Sequence, residues 1–276
     1  MTNRSSTGTT RPTADHSQRK VAFAAAFSLL FIALLAPFAH FGVLQSLIVP
    51  ADAAATTNNI LASAGLFRAG IAAFLIVAIL DVVVAWGLYV ILRPANESLA
   101  LLVAWLRVVY AAVFAYALVN LLDVAQLLQG TNATTGSAAQ IQAEVASSIA
   151  SFGNGWDLAL AIFGLHLVGL GALMFRSVEF PKFLGALVVL AGAGYLADSF
   201  GAILVPHYTL TISVFTFLGE ALLIVWLFKL AIKGTRSTEG TRTIVGAPGR
   251  AIEAARRGDA DASVLPIETK ARGGCR

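Results

Sequence analysis

Apolar residues fill this chain in long unbroken blocks, without the period-two alternation of a membrane strand. Six blocks fall at about 21–43, 67–92, 98–127, 156–176, 182–204 and 209–232. Each is long enough to cross a ~30 Å hydrocarbon core as a helix rising ~1.5 Å per residue. Lipid leaves no water to satisfy a bare backbone, so continuous apolar runs of this length predict helices, whereas a membrane barrel would alternate. The expected fold is all-α: a polytopic membrane bundle of six transmembrane helices over 21–233. Polar stretches at 1–20 and 234–276 are expected to be disordered tails. The first block follows Arg19-Lys20. It exceeds the about 7–15 apolar residues of a signal peptide, so it reads as an uncleaved first span.

Two of the connections carry patterns of their own. Asp52 is placed to cap a short helix through Ala53–Ala64. Ile141, Val145, Ile149 and Phe152 share one helical face, which predicts a short helix lying on the outer surface over the bundle.

Composition narrows the class. Of the 276 residues, 58% are apolar and 12% charged; a soluble domain has about 45–50% and about 25%. Mean hydropathy is +0.79. These values exclude a disordered chain, a collagen-like chain and an ordinary soluble enzyme. The net charge of +4 does not mark a nucleic-acid-binding face. Of the 19 Lys and Arg, all but Arg68 and Arg107 fall in the two tails, in the 93–97 and 176–182 connections, or at the end of the last block. The opposite connections, around 44–65, 128–155 and 205–208, hold none. That asymmetry predicts both termini cytoplasmic, in the cell (inner) membrane. The lipid bilayer is the partner implied, and no nucleic acid. The single cysteine, Cys275, can form no internal disulfide.

A charge near the bilayer centre costs about 2.5–3.5 kcal/mol on insertion scales, so each intramembrane charge needs a partner. The second and third helices turn tightly at Pro94-Ala95. Asp81 and Arg107 then both lie about 19–20 Å from that turn, which predicts a buried ion pair. Arg68 and Asp123 also share a depth, nearer the outer side. Arg68 is ~140° around the helix from Asp81, so both pairs cannot lie on one seam. Thr209, Ser213, Thr216 and Glu220 form a polar stripe on the sixth helix, and Tyr116, Asn120 and Asp123 a shorter one on the third. With His166 on the fourth, these residues are the candidate polar interior. Asp157, Asp198, His40 and His207 lie toward the outer ends. Zinc accepts such ligands, but HxxxH and HExxH spacings are absent, so no metal and no cofactor is expected. GxSxG and Walker A sequences are also absent, and no catalytic residue is assigned. Gly164, Gly169, Gly171, Gly185, Gly192 and Gly194 sit inside apolar helices, where close helix packing explains them. They would serve internal packing or symmetric assembly equally well, so oligomeric state is left open.

One region resembles a known family. Phe67-Arg68-Ala69-Gly70, Leu80-Asp81-Val82-Val83-Val84-Ala85-Trp86, Tyr89, Arg93-Pro94-Ala95-Asn96, Leu99-Ala100-Leu101-Leu102 and Leu106-Arg107-Val108-Val109-Tyr110-Ala111 look like the central hairpin of the bacterial integral-membrane family filed as domain of unknown function 4386. The resemblance extends over about 20–235. It implies the six-helix membrane architecture and no particular activity, substrate or cofactor.

Three functions fit these residues. A small-solute, ion or proton transporter would use the polar interior around Glu220 and Asp81. A structural or interaction protein would use the buried charges to fix packing. A membrane-embedded enzyme acting on lipid would need the outer His and Asp side chains to converge.

Overall fold

The computed structural model describes residues 13–130, 137–205, 208, 212 and 218–233, with backbone alone for 13–17. The chain divides into two compact units, Met1–Thr235 and Arg236–Arg276. The second lies wholly outside the described residues, as do Cys275 and the tail expected at 234–276. Among the described residues all regular structure is helical.

Helix α1 runs Thr13–Pro37. It begins inside the segment expected to be a disordered tail, taking in Thr13–Lys20. The extension has a partner: Arg19 donates from Nε to Ala231 O at 3.2 Å and from Nη2 to Ile232 O at 2.8 Å. These are carbonyls of the last turn of the helix that ends at Lys233, which have no partner within their own helix. Pro37 cannot donate to the carbonyl four residues back, and the helix widens into a π segment, Phe38–Leu44, directly after it. Helix α2 is the short turn Gln45–Leu47, and α3 spans Ala53–Ala62. Asp52 caps α3, its Oδ1 accepting from Ala55 N at 2.8 Å.

Helix α4 (Ala64–Leu92) and α5 (Glu97–Leu127) form the hairpin. Ala95 N donates to Leu92 O at 2.9 Å in the turn, and Asn96 Oδ1 caps α5 by accepting from Leu99 N at 3.0 Å. Helix α6 is a single run, Ala138–Arg176, of 39 residues. The separate surface helix expected around 141–152 is therefore the N-terminal part of this span. Gly153 and Gly155 lower helix propensity there without a proline to end it. Gly155 also lets α6 close on α5, since a Cβ at that position would stand 2.7 Å from Ala117 Cβ. The expected apolar face is buried at Val145 and Phe152, and Phe152 packs against Phe74 of α4. A Ser137–Gln140 capping box starts the helix. Helix α7 spans Lys182–Leu204 and α8 Leu218–Lys233.

Five stretches are long and apolar enough to cross a membrane: Gln18–Leu47, Ala64–Leu92, Glu97–Leu127, Ala138–Arg176 and Lys182–Leu204. The 16 described residues of α8 fall short of that length. Each long helix packs on the next along the chain, and α8 packs on both α7 and α1, so the six close into a ring. Small residues let the backbones meet. A Cβ at Gly171 would lie 2.6 Å from Gly185 O, and one at Gly192 2.6 Å from Gly164 O. Backbone cannot move aside as a side-chain tip can, so α6 and α7 are in direct main-chain contact. The outward face is as apolar as the interior: on α4, Leu75, Ile79, Val82 and Trp86 are all exposed. Such a surface fits a lipid environment.

Candidate functional site

The ring holds its charges at the centre. Asp81 on α4, Arg107 on α5 and His166 on α6 are all buried, at 1%, 2% and 0% exposure. Arg107 donates from Nε at 2.9 Å and from Nη2 at 2.6 Å, and both bonds go to the same oxygen, Asp81 Oδ1. A parallel two-oxygen fork would satisfy both carboxylate oxygens. Here Asp81 Oδ2 is buried with no hydrogen-bond partner of good geometry. The Tyr110 hydroxyl, one turn along from Arg107, acts on the same carboxylate.

His166 completes the other side of Arg107. Its Nε2 lies 3.2 Å from Arg107 Nη1 and its Nδ1 2.8 Å from Val103 O. A guanidinium only donates and a carbonyl only accepts. Nε2 must therefore be the acceptor and Nδ1–H the donor, which assigns the neutral Nδ1–H tautomer. Phe163, one turn before His166, lies under the cation, with Arg107 Cζ 5.3 Å from the ring centroid. Tyr195 of α7 meets Phe163 edge-on at 5.3 Å. Its hydroxyl acts as a side-chain hydrogen-bond partner of Glu220 on α8. Glu220 is also in electrostatic reach of Arg107 and Asp81, while its Oε1 is buried with no hydrogen-bond partner. Every helix from α4 to α8 thus supplies a polar member of one cluster.

Aromatic and apolar side chains flank the cluster at both ends. Toward the end away from the hairpin turn, Phe74, Phe114 and Trp156 pack with centroids 5.1–5.4 Å apart. Toward the hairpin turn, an apolar crevice runs from Tyr89 and Leu92 past Ala100 and Val103 to His166, and it has no room for a water molecule.

The family model "Domain of unknown function (DUF4386)" matches residues 24–230. The chain belongs to this family. An "Uncharacterized protein" of Archaeoglobus fulgidus is 35% identical over 170 residues, covering 62% of this chain and 86% of its own length. No solved structure matches. The stretch matched to DUF4386 contains every member of the cluster, from Asp81 to Glu220.

The other candidates in this DUF4386 chain sit apart from the cluster. Arg68, Asp123 and Tyr116 belong to the outward surface, with Tyr116 77% exposed. Their placement in the polar interior is thereby corrected. Tyr116 is nine positions from Arg107 and Asp123 sixteen, which turns them ~180° and ~160° away on an ideal helix. Asn120, half-buried, donates to its own helix at Ala117 O, 3.1 Å. Thr209, Ser213, Thr216 and His207 lie outside the described residues.

At the helix ends away from the hairpin turn, Asp157 feels the charge of Asp198. Asp198 accepts from the Tyr208 hydroxyl and from Ile212 N, both at 2.9 Å. His40, in the π segment, stacks on Trp156 at 5.6 Å, and its Nε2 lies 3.3 Å from Gln45 Nε2. Among the described residues, no three His, Cys, Asp or Glu side chains converge to hold a metal.

Sequence reasoning passed over Tyr110, Phe163 and Tyr195. The first two had a signal: they sit one turn from Arg107 and from His166, on the same helix face. Tyr195 follows Gly192, whose lack of a side chain brings α7 in close to α6.

Proposed function

We propose that this DUF4386 protein is a six-span protein of the cell (inner) membrane, with both termini cytoplasmic, that passes a proton or small solute through its ring of helices at the central cluster. The observation that carries this reading is the pair of buried carboxylate oxygens, Asp81 Oδ2 and Glu220 Oε1, left without a hydrogen-bond partner of good geometry among the described residues. A purely structural network gains most when every member is satisfied. Oxygens left open at the centre of a lipid-facing bundle suit a group that arrives and leaves.

Flux through liposomes containing the purified protein, followed with an enclosed pH dye, tests the reading. Wild type should conduct above empty vesicles. Glu220→Gln should lose that flux while eluting as a folded, monodisperse species. Equal flux in the two proteins would sink the proposal.

The topology is testable with the native thiol. Cys275 is the only cysteine, so a membrane-impermeant maleimide should label inverted vesicles and spare right-side-out ones. The reverse pattern would put the C-terminus outside.

One observation favours a second reading, a structural or interaction protein. Asp81 and Arg107 neutralise each other within the protein, and His166 Nε2 takes up a third donor of the guanidinium. Such pairs often serve packing alone.

A further inference from the structure

The charge count of the cluster points to its occupant. Asp81 and Arg107 cancel as a bonded pair. His166 is neutral by its hydrogen bonds, since both ring nitrogens are committed to groups of fixed polarity. The Glu220 carboxylate is left over, with one negative charge and a buried, partnerless Oε1. One positive charge balances the centre.

The identity of that charge follows from space and from neighbours. A metal cation needs several oxygen or nitrogen ligands, and among the described residues no three His, Cys, Asp or Glu side chains converge to hold one. Glu220 Oε1 itself has almost no surface open to solvent, so no hydrated ion sits against it. A proton needs no volume.

We infer that the cluster is a binding site for one exchangeable proton, held on the Glu220 carboxyl between Tyr195 and the Asp81–Arg107 pair. Resting on the transport reading, this names the proton as the species carried. The bond formed is O–H on Glu220, and deprotonation returns the carboxylate with nothing else exchanged.

The surroundings of Glu220 are complete enough to support this. Helix α7 presents Tyr195, α5 presents Arg107 and Tyr110, and α4 presents Asp81. Helix α6 contributes His166 through Arg107. Helix α1 packs on α8, and from Val21 to Pro37 it offers no titratable side chain. The acceptor is also held in place. Gly219, its neighbour, lies so close to α7 that a Cβ there would stand 2.7 Å from Leu187 O.

Infrared difference spectroscopy of the full-length protein in lipid nanodiscs reads the proton directly. Titrating wild type from acid to alkaline should remove, beyond the broad low-pH signal of the exposed carboxyls, one C=O band of a buried carboxyl, which shifts in heavy water. Glu220→Gln should lack that band. Because Glu220→Gln could disturb folding, Tyr195→Phe is the second variant. It keeps the carboxyl and should move both the band frequency and its titration midpoint. The proposal is overturned by the absence of any such band in wild type. It is equally overturned by a band that persists in Glu220→Gln, or by one unmoved in Tyr195→Phe. The titrating band without flux in the liposome assay would leave the proton site standing and remove the transport reading. Flux without the band would do the opposite.

Discussion

Helix α5 carries two polar rows that met different fates. Arg107 and Tyr110 face the ring interior, buried and partnered. Tyr116 and Asp123 face outward, and Asn120 spends its amide on its own backbone. Depth explains the difference. Measured from Glu97 at ~1.5 Å per residue, Arg107 lies ~15 Å along α5, in the middle of a ~30 Å core, while Tyr116 lies ~28 Å along and Asp123 ~39 Å. At mid-depth a charge must find a protein partner. Near the headgroups, water and lipid satisfy it, and a tyrosine anchors well. Polar character alone therefore does not say which way a membrane helix turns.

The sharpest way to break this contrast is to remove half of the inner pair. Arg107→Leu or Asp81→Leu strands a buried charge, and each should cost about 3–5 kcal/mol of stability. Thermal denaturation in detergent, followed by loss of the monodisperse peak, would show it. Replacing both with leucine should be far milder than either single change, because no charge is left unpaired. If the double variant is as unstable as the sum of the singles, the pair does more than neutralise itself.

His166 lies one step out from that pair. Its imidazole fills a fully buried position, accepting from Arg107 and donating to Val103 O. His166→Leu leaves both partners unsatisfied, and a buried unmet polar group costs about 1–3 kcal/mol. The expected loss is thus smaller than for Arg107, and the same melting assay ranks the two. A His166 effect equal to that of Arg107 would mean that the histidine, rather than the aspartate, holds the cation.

These residues also mark how far the sequence could be read. Asp81 and Arg107 were legible as a pair because a short hairpin makes depth a matter of counting from the turn. His166 sits on a helix with no such ruler to α5, so it could be placed near mid-depth but not against Arg107. Tyr195 and Phe163 were illegible for a related reason. Their contacts depend on how closely α6 and α7 approach, which Gly164, Gly171, Gly185 and Gly192 set through backbone contact. The outward turn of Tyr116 and Asp123 needed only the nine- and sixteen-residue offsets from Arg107, once Arg107 was known to face in. The junction of the 141–152 segment with α6 was not legible because Gly153 and Gly155, both poor helix formers, separate its apolar face from the next apolar block.

The outer row offers the smallest effect and the clearest control. Asp123→Asn removes a charge that no described residue pairs with by salt bridge, at a position where solvent and headgroups screen it. The change in stability should stay within about 0.5 kcal/mol, as for surface substitutions generally. A cysteine placed there should react with a water-soluble maleimide from the outer side, whereas one at Asp81 should not react from either. A large loss of stability in Asp123→Asn would mean that the outward row is covered, and that depth alone does not separate the two halves of α5.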